Sequence, residues 1–251
     1  MVKIVGILNV TPDSFSDGGL YSAPEVAVQR TEELFRDGAD LVDIGAESTR
    51  PEATPITWQE EWGRLSPILP KLIPVYGERL SLDTYHPETA EAALNIGPII
   101  INDVSGMSEA MMDIVAKYQA RCVIGHIPEG TDTKTAHEGD LIDDVEVVVR
   151  DLMVKVDKIQ AKGLAKEKIY LDPCIGFGKT QALNEKLLEF AKEVPDFPVM
   201  IGYSKKRFLG TDDERKDKKK NQDAGQTATD AGAAYLRVHD VEWYSELKQA
   251  A

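Results

Sequence analysis

The chain has 251 residues, of which 42% are hydrophobic and 29% charged, and its formal net charge is −14. Because a strongly negative protein repels the phosphate backbone, nucleic acid is excluded as a general partner. No stretch approaches the ~20 apolar residues of a bilayer-spanning helix, so no membrane partner is expected. The first apolar run begins within three residues of the N-terminus. We therefore expect no signal peptide and a cytoplasmic protein.

Eight short apolar runs lie along the chain, and each leads to polar or charged side chains. They are residues 3–8 (Asn9), 41–42 (Asp43), 80–82 (Asp83), 99–101 (Asn102, Asp103), 122–124 (His126), 169–171 (Asp172), 198–201 (Ser204, Lys206) and 235–236 (Arg237, His239). Such runs are typical of parallel strands buried on both faces. Their spacing of roughly thirty residues leaves room for a helix after each strand. We predict a single-domain α/β (β/α)8 TIM barrel over residues 1–251, with the functional residues at the C-terminal strand ends.

The connecting segments predict helices at residues 24–37, 87–95 and 141–161. The loops at residues 11–21 and 47–56 are longer than the roughly 2–6 residues usual in this fold, and both are rich in Gly, Ser and Asp. We interpret them as lids that close over a substrate, with disordered surface loops as the alternative. The charge-rich stretch 212–221 is expected to be a solvated loop and helix start.

The two cysteines, Cys122 and Cys174, do not have the spacing of metal ligands. Each lies in or directly after an apolar run. We therefore expect buried, reduced thiols.

A first group of strand-end residues offers both donors and acceptors of hydrogen bonds. Its members are Asp83, Asn102, Asp172 and Lys206. Two carboxylates, an amide and an ammonium are suited to hold a flat, nitrogen-rich heterocycle. Asp172 alone, directly before Pro173, could instead cap the next helix.

A second group indicates an anion site. Arg237 and His239 alternate along the predicted eighth strand, so their side chains point to the same side. A guanidinium suits phosphate, and phosphate sites after strands seven and eight recur in this fold. Asn9 is predicted to ligate a Mg²⁺ ion that neutralises the same phosphates, since a hard cation prefers oxygen ligands.

Several motifs together resemble the dihydropteroate synthase family. The first two are long and specific: GILNVTPDSFSDGG at residues 6–19 and DIGAESTRP at residues 43–51. The match continues in chain order through SLDT at 81–84, INDV at 101–104, LDP at 171–173, GFGK at 176–179, SKK at 204–206 and RVHDV at 237–241. It extends from about Lys3 to Val241.

The resemblance implies a folate-biosynthesis transferase, a sulfonamide target, that joins 4-aminobenzoate to 6-hydroxymethyl-7,8-dihydropterin diphosphate. Asp83, Asn102, Asp172 and Lys206 would then hold the pterin, and Asn9 with Mg²⁺, Arg237 and His239 would hold the diphosphate. The aminobenzoate pocket and lid loops would contain Phe15, Asp17, Thr49, Arg50, Pro51 and Ser204. The catalytic residues would be Asp83, Lys206, Arg237 and Asn9. The family also implies a homodimer.

The chain departs from the family pattern at several positions. Gly125 stands where a methionine is usual before His126, Cys174 where a glycine follows LDP, and Lys205 where an arginine is usual. The motif GTLA reads GQTA at residues 225–228. Two alternatives remain open: a methyltetrahydrofolate–corrinoid methyltransferase type of pterin-binding barrel, and a non-catalytic pterin-binding paralogue. Release of diphosphate in the presence of both substrates would distinguish the three.

Overall fold

The computed structural model describes residues 1–11, 23–48, 53–133, 135–136, 140–244 and 247. Most of the first long loop and the centre of the second lie outside these ranges, so the interpretation of both as lids stays a prediction. Within the described ranges, no helix is long and apolar enough to cross a membrane.

Eight parallel strands form one sheet that curves into a nearly closed barrel, as predicted. The strands are β1 (Lys3–Asn9), β2 (Leu41–Gly45), β3 (Leu80–Asp83), β4 (Ile100–Asp103), β5 (Cys122–Gly125), β6 (Ile169–Asp172), β7 (Met200–Gly202) and β8 (Tyr235–Val238). Their order is β6-β5-β4-β3-β2-β1-β8-β7, and every pairing is parallel. Between β6 and β7 the barrel closes through a single bridge from Leu171 to Val199, beside a 3.0 Å bond from the Leu171 N–H to the Pro198 carbonyl.

Helices surround the barrel, one or two after most strands. They are α1 (Ala23–Arg36), α2 (Trp58–Leu65), α3 (Leu69–Tyr76), α4 (Pro87–Ile96), α5 (Glu109–Tyr118), α6 (Val145–Ala161), α7 (Gln181–Lys186) and α8 (Lys218–Asp230). Helix α6 begins four residues later than predicted because Asp144 caps it, accepting a 2.9 Å bond from the Glu146 N–H. Ile142 instead forms a parallel bridge with Lys179.

The hydrophobic core has two layers. Inside the barrel, a cluster from six strands packs together: Val5, Leu41, Ile100, Val123, Met200 and Tyr235. A larger cluster fills the space between the strands and the surrounding helices. Each fully buried aliphatic side chain contributes about 1.5–3 kcal/mol. Because apolar side chains fill the inside of the barrel, the polar strand-end residues are left at one mouth.

Two smaller predictions are also confirmed. Cys122 and Cys174 are free and buried, and burial raises the pKa of each thiol, so both are neutral. Residues 212–220 are exposed or half-exposed, and α8 begins within this stretch, capped by Asp217; Asn221, the last residue of the predicted solvated stretch, is instead buried.

Candidate active site

Arg237 joins three strands at the C-terminal mouth of the barrel. Its Nε donates to Asp43 Oδ2 at 2.6 Å, and its Nη2 donates to Asp83 Oδ2 at 2.7 Å. Burial raises the pKa of Asp83 to about 7, while the Arg237 charge acts in the opposite direction. Burial also acts to lower the pKa of Arg237, but the two carboxylates outweigh it and keep the guanidinium charged. One cation therefore organises two carboxylates from β2 and β3.

Asn102 extends this network to β4. Its Nδ2 donates to Asp43 Oδ2 at 3.1 Å. Among the described residues, Asp43 Oδ1 and Asn102 Oδ1 are buried and receive no hydrogen bond. Buried acceptors normally have donors. These two oxygens therefore suit a ligand that brings N–H groups to the mouth of the barrel.

Asp172 and Lys206 lie on the opposite side of the mouth, at β6 and after β7. Asp172 Oδ1 accepts a 2.7 Å bond from the Cys174 N–H. Lys206 Nζ donates to the Ile175 carbonyl and lies 5.2 Å from the centre of the Phe177 ring. Burial raises the pKa of Asp172, opposed by Lys206, and burial lowers the pKa of Lys206, opposed by Asp172. The buried Asp172 and the half-buried Lys206 therefore act on each other electrostatically without forming a direct ion pair.

The helix-capping alternative for Asp172 is not what the structure shows. The next helix, α7, is capped by Thr180, whose side chain accepts a bond from the Leu183 N–H. Asp172 instead accepts a hydrogen bond from the Cys174 N–H, in the loop that directly follows its strand.

Ser204 and His239 form a pair that the sequence analysis had divided between two subsites. The backbone N–H of His239 donates to Ser204 Oγ at 3.3 Å. The ring nitrogen Nδ1 of His239 lies 3.1 Å from the same oxygen. Ser204 is buried. The predicted diphosphate residue and the predicted aminobenzoate residue are thus neighbours.

The remaining predicted residues lie partly outside the described ranges. Asn9 ends β1, and its side chain is exposed. Phe15, Asp17, Thr49, Arg50 and Pro51 lie outside the described residues, so their assigned roles stay predictions.

Gly125 and Cys174, two departures from the family pattern, are in contact. A β-carbon built on Gly125 would lie 2.8 Å from Cys174 Sγ, 2.7 Å from Val104 Cα and 2.8 Å from the Asp103 carbonyl oxygen. Cys174 has φ 49°, a left-handed conformation that favours glycine. The sulfur and the end of β4 thus leave no room for a side chain at position 125, so the two substitutions fit each other.

Asp43 is the site residue that the sequence analysis did not assign. It appeared there only as the polar end of the second apolar run, and it lies inside a strand that reaches Gly45, as expected. Asp43 is fully buried. A carboxylate inside a run otherwise buried on both faces was the available signal, because a buried charge requires a partner.

Comparison with known proteins agrees with this geometry. A family profile described as "Pterin binding enzyme" matches residues 5–239. The dihydropteroate synthase of Staphylococcus haemolyticus is 34% identical over an alignment of 257 positions, which covers 99% of this chain and 93% of the relative. This chain belongs to the dihydropteroate synthase family. The family resemblance seen in the motifs is confirmed, and the family is one of transferases.

Solved structures of this family share the fold across nearly their whole length. The Xanthomonas albilineans dihydropteroate synthase with 4-aminobenzoic acid superposes with a TM-score of 0.84 at 35% identity, covering 100% of this chain and 94% of that one. The same enzyme in complex with 7,8-dihydropteroate gives a TM-score of 0.81 at 33% identity, with the same coverage. The similarity therefore extends over the barrel and its mouth rather than over one motif.

Proposed function

We propose that the mouth of the barrel joins 4-aminobenzoate to 6-hydroxymethyl-7,8-dihydropterin diphosphate, forming 7,8-dihydropteroate and releasing diphosphate in folate biosynthesis. The observation that carries this proposal is the convergence of polar side chains from separate strands in one mouth. They are Asp43, Asp83, Asn102, Asp172, Lys206 and Arg237. The solved relatives with 4-aminobenzoic acid and with 7,8-dihydropteroate support the choice of substrates.

The pterin would lie between the carboxylates and Lys206. Asp83, Asn102 and Asp172 offer acceptor oxygens to its N–H groups, and Lys206 offers N–H donors to its ring nitrogen and oxygen atoms. Since these groups lie on strand ends above a packed core, they need little rearrangement to bind a flat ring. We therefore expect this pocket to be formed before ligand binding.

The diphosphate would lie beside Arg237, His239 and Asn9. Arg237 has five N–H donors, of which two bind Asp43 and Asp83, so further donors remain for a phosphate oxygen. No group of three or more His, Cys, Asp or Glu side chains that could hold a metal occurs among the described residues. The exposed amide of Asn9 would instead offer an oxygen ligand to a Mg²⁺ ion. Bound there, Mg²⁺ would neutralise charge on the leaving diphosphate.

The reaction then needs little acid–base help from the protein. The carbon–oxygen bond to diphosphate breaks, the electron pair leaves with the diphosphate, and the positive charge spreads over the dihydropterin. The Asp83 carboxylate stabilises this charge. The neutral aryl amine attacks the methylene carbon, and the proton that its nitrogen loses passes to water or to the released diphosphate. Proximity supplies much of the rate.

The aminobenzoate pocket would be built from Phe15, Asp17 and residues 49–51, together with Ser204. We propose that it assembles only after pterin diphosphate binds, because glycine-rich loops lose much entropy on ordering. A sulfonamide should then compete with 4-aminobenzoate at this pocket. We also propose that the protein is cytoplasmic and that it forms a homodimer. Sedimentation of the purified chain would test the dimer.

Diphosphate release tests the proposed function directly. With Mg²⁺, the purified chain should release diphosphate rapidly only when both substrates are present. Asp172→Asn should reduce this rate about a hundredfold by weakening pterin binding. Asp196→Asn, at an exposed ion pair with Lys166, serves as the matched control and should leave the rate unchanged. Pterin binding without diphosphate release would contradict the proposal and favour a non-catalytic paralogue.

A further inference from the structure

Lys179 is a buried cation close to the site that the proposed reaction does not use. Only 5% of the residue is exposed. Its Nζ donates to three backbone carbonyls: those of Phe177 at 2.8 Å, Cys174 at 3.3 Å and His126 at 3.3 Å. The three N–H bonds of one ammonium are thus matched by three carbonyl oxygens. The side chain ties the end of β5 to the loop that follows β6.

No carboxylate of the described residues forms an ion pair with this ammonium. Burial lowers the pKa of Lys179 to about 8, and the charge of Lys206 acts in the same direction. A buried charge whose hydrogen bonds all go to carbonyl dipoles, with the Asp172 carboxylate acting on it without a direct ion pair, is costly for folding. The arrangement therefore calls for a role that an apolar side chain of similar length would not fill.

The three carbonyls show what Lys179 holds in place. Cys174 and Phe177 lie on either side of Ile175, whose carbonyl accepts the hydrogen bond that Lys206 Nζ donates. The Phe177 ring lies 5.2 Å from the same Lys206 ammonium. The acceptor and the ring that orient Lys206 thus belong to the short segment that Lys179 fixes.

Lys179 can act as an anchor because its own backbone is fixed. The Ile142 N–H donates to the Gly178 carbonyl, and the Thr180 N–H donates to the Ile142 carbonyl, both at 3.0 Å. Asn184 on α7 adds a second tie: its Nδ2 donates to the Lys179 carbonyl at 3.2 Å. The flexible stem of Lys179 therefore reaches from a fixed backbone back to the loop.

We propose that Lys179 is a positioning residue that holds the Ile175 carbonyl and the Phe177 ring where they orient Lys206 toward the pterin. This inference rests on the proposed function, since the role of Lys206 in pterin binding is assigned there. Lys179 itself acts through the loop and through Lys206.

A double-mutant cycle on pterin affinity tests this coupling. The variants are Lys179→Met, Lys206→Ala and the double variant, and the probe is 6-hydroxymethylpterin, which carries no phosphate, measured by calorimetry. Lys179→Met should weaken binding about ten- to a hundredfold in the parent chain. In the Lys206→Ala background the same change should have little further effect, because Lys179 acts through Lys206. Additive losses in the two backgrounds would overturn the proposal.

Lys168→Met is the matched control. Lys168 also donates to a backbone carbonyl, that of Gln119 at 2.6 Å, but it precedes β6 at the opposite end of the barrel. Its loss should leave pterin affinity unchanged. An equal loss of affinity in the control would assign the effect to general destabilisation.

Two further measurements cover the cases in which the main variant or the proposed function fails. If Lys179→Met does not fold, Lys179→Arg replaces it in the cycle, because a planar guanidinium cannot match three carbonyls arranged around one ammonium. Amide hydrogen exchange of residues 174–178 should accelerate in either variant and stay unchanged in Lys168→Met. This readout is independent of turnover. If the parent chain binds no pterin, the proposed function is wrong. Unchanged amide hydrogen exchange in the Lys179 variants would overturn the positioning role on its own.

Discussion

Arg237 pairs with two carboxylates in addition to the anion-binding role proposed for it. It was expected from the sequence to bind diphosphate, and in the structure it also pairs with Asp43 and Asp83. Removal of one partner from a buried ion pair leaves an uncompensated charge, which costs more than the pair itself contributes. Arg237 is therefore not a residue whose loss would affect phosphate binding alone.

We expect Arg237→Ala to lower the free energy of unfolding by about 3–5 kcal/mol, because Asp43 and Asp83 lose their cation. The same change should also weaken the binding of both phosphate-free pterin and pterin diphosphate. Urea denaturation at neutral pH and calorimetry with both ligands measure these effects. The added change Asp83→Asn should restore part of the stability, since one unpaired carboxylate is removed.

The control for this prediction is Arg215→Ala, which removes a half-exposed side chain paired with the exposed Asp212. Surface pairs contribute about 0–1 kcal/mol, so this change should have a small effect. A similar loss of unfolding free energy in the two alanine variants would contradict the paired role of Arg237. So would a loss of affinity in Arg237→Ala that is confined to pterin diphosphate.

Helix α8 shows how an element absorbs departures from the family pattern. Within GQTA at residues 225–228, Gly225 and Ala228 are buried, whereas Gln226 is exposed and Thr227 half-exposed. The polar substitutions therefore lie on the outer face of the helix, and the close-packed positions keep small residues. Gly225 is required for space: a β-carbon there would overlap the Tyr203 hydroxyl and lie 3.1 Å from Tyr244.

Two glycine-to-alanine changes in helices should therefore have opposite effects. Gly225→Ala should lower the free energy of unfolding by about 1–3 kcal/mol, because Tyr203 and Tyr244 are fully buried and cannot move freely. Gly63→Ala in α2 should raise it by about 0.5–1 kcal/mol, since nothing lies within 4 Å of the new β-carbon and alanine favours a helix. Thermal and urea unfolding of both variants give the comparison. A gain of stability at position 225 would show that α8 can move away from the barrel.

The stability of the whole molecule depends on pH through its buried titratable groups. His126 follows β5 and is buried, with Nε2 3.4 Å from Asp151 Oδ2. Burial lowers its pKa to about 4; the Lys179 charge acts in the same direction and Asp151 opposes it. Below pH 6.5 the unfolded chain thus binds a proton that the folded chain excludes. The contribution of His126 is present above pH 6.5 and is lost as the pH falls toward 4.

Buried carboxyl groups act with the opposite sign in the same range. Burial raises the pKa of Asp103 to about 6 and that of Asp83 to about 7, so their contribution falls as the pH rises. The effect of His126 must therefore be measured as a difference from His126→Gln. We expect wild type to lose about 2–3 kcal/mol relative to this variant between pH 7.5 and 4.5. Parallel stability curves would show that His126 is protonated in the folded chain.

The sequence determined the architecture and brought most of the candidate site together because both depend on local patterns. Continuous apolar runs identify strands buried on both faces, and in a closed parallel barrel their polar ends meet at one mouth. Asp83, Asn102, Asp172, Lys206 and Arg237 could therefore be placed together without coordinates. Helix ends were less predictable: the start of α6 depends on the cap at Asp144 and on the bridge from Ile142 to Lys179.

Only the tertiary structure decided which of these side chains are partners. Arg237 meets Asp43 from 194 residues away in the sequence, and the sulfur of Cys174 lies against Gly125 from a neighbouring strand end. The ammonium of Lys179 donates to three carbonyls that lie on two separate loops. Sequence periodicity specifies the face on which a residue lies, but the pairing of side chains across a barrel depends on strand register and curvature, which the whole fold sets.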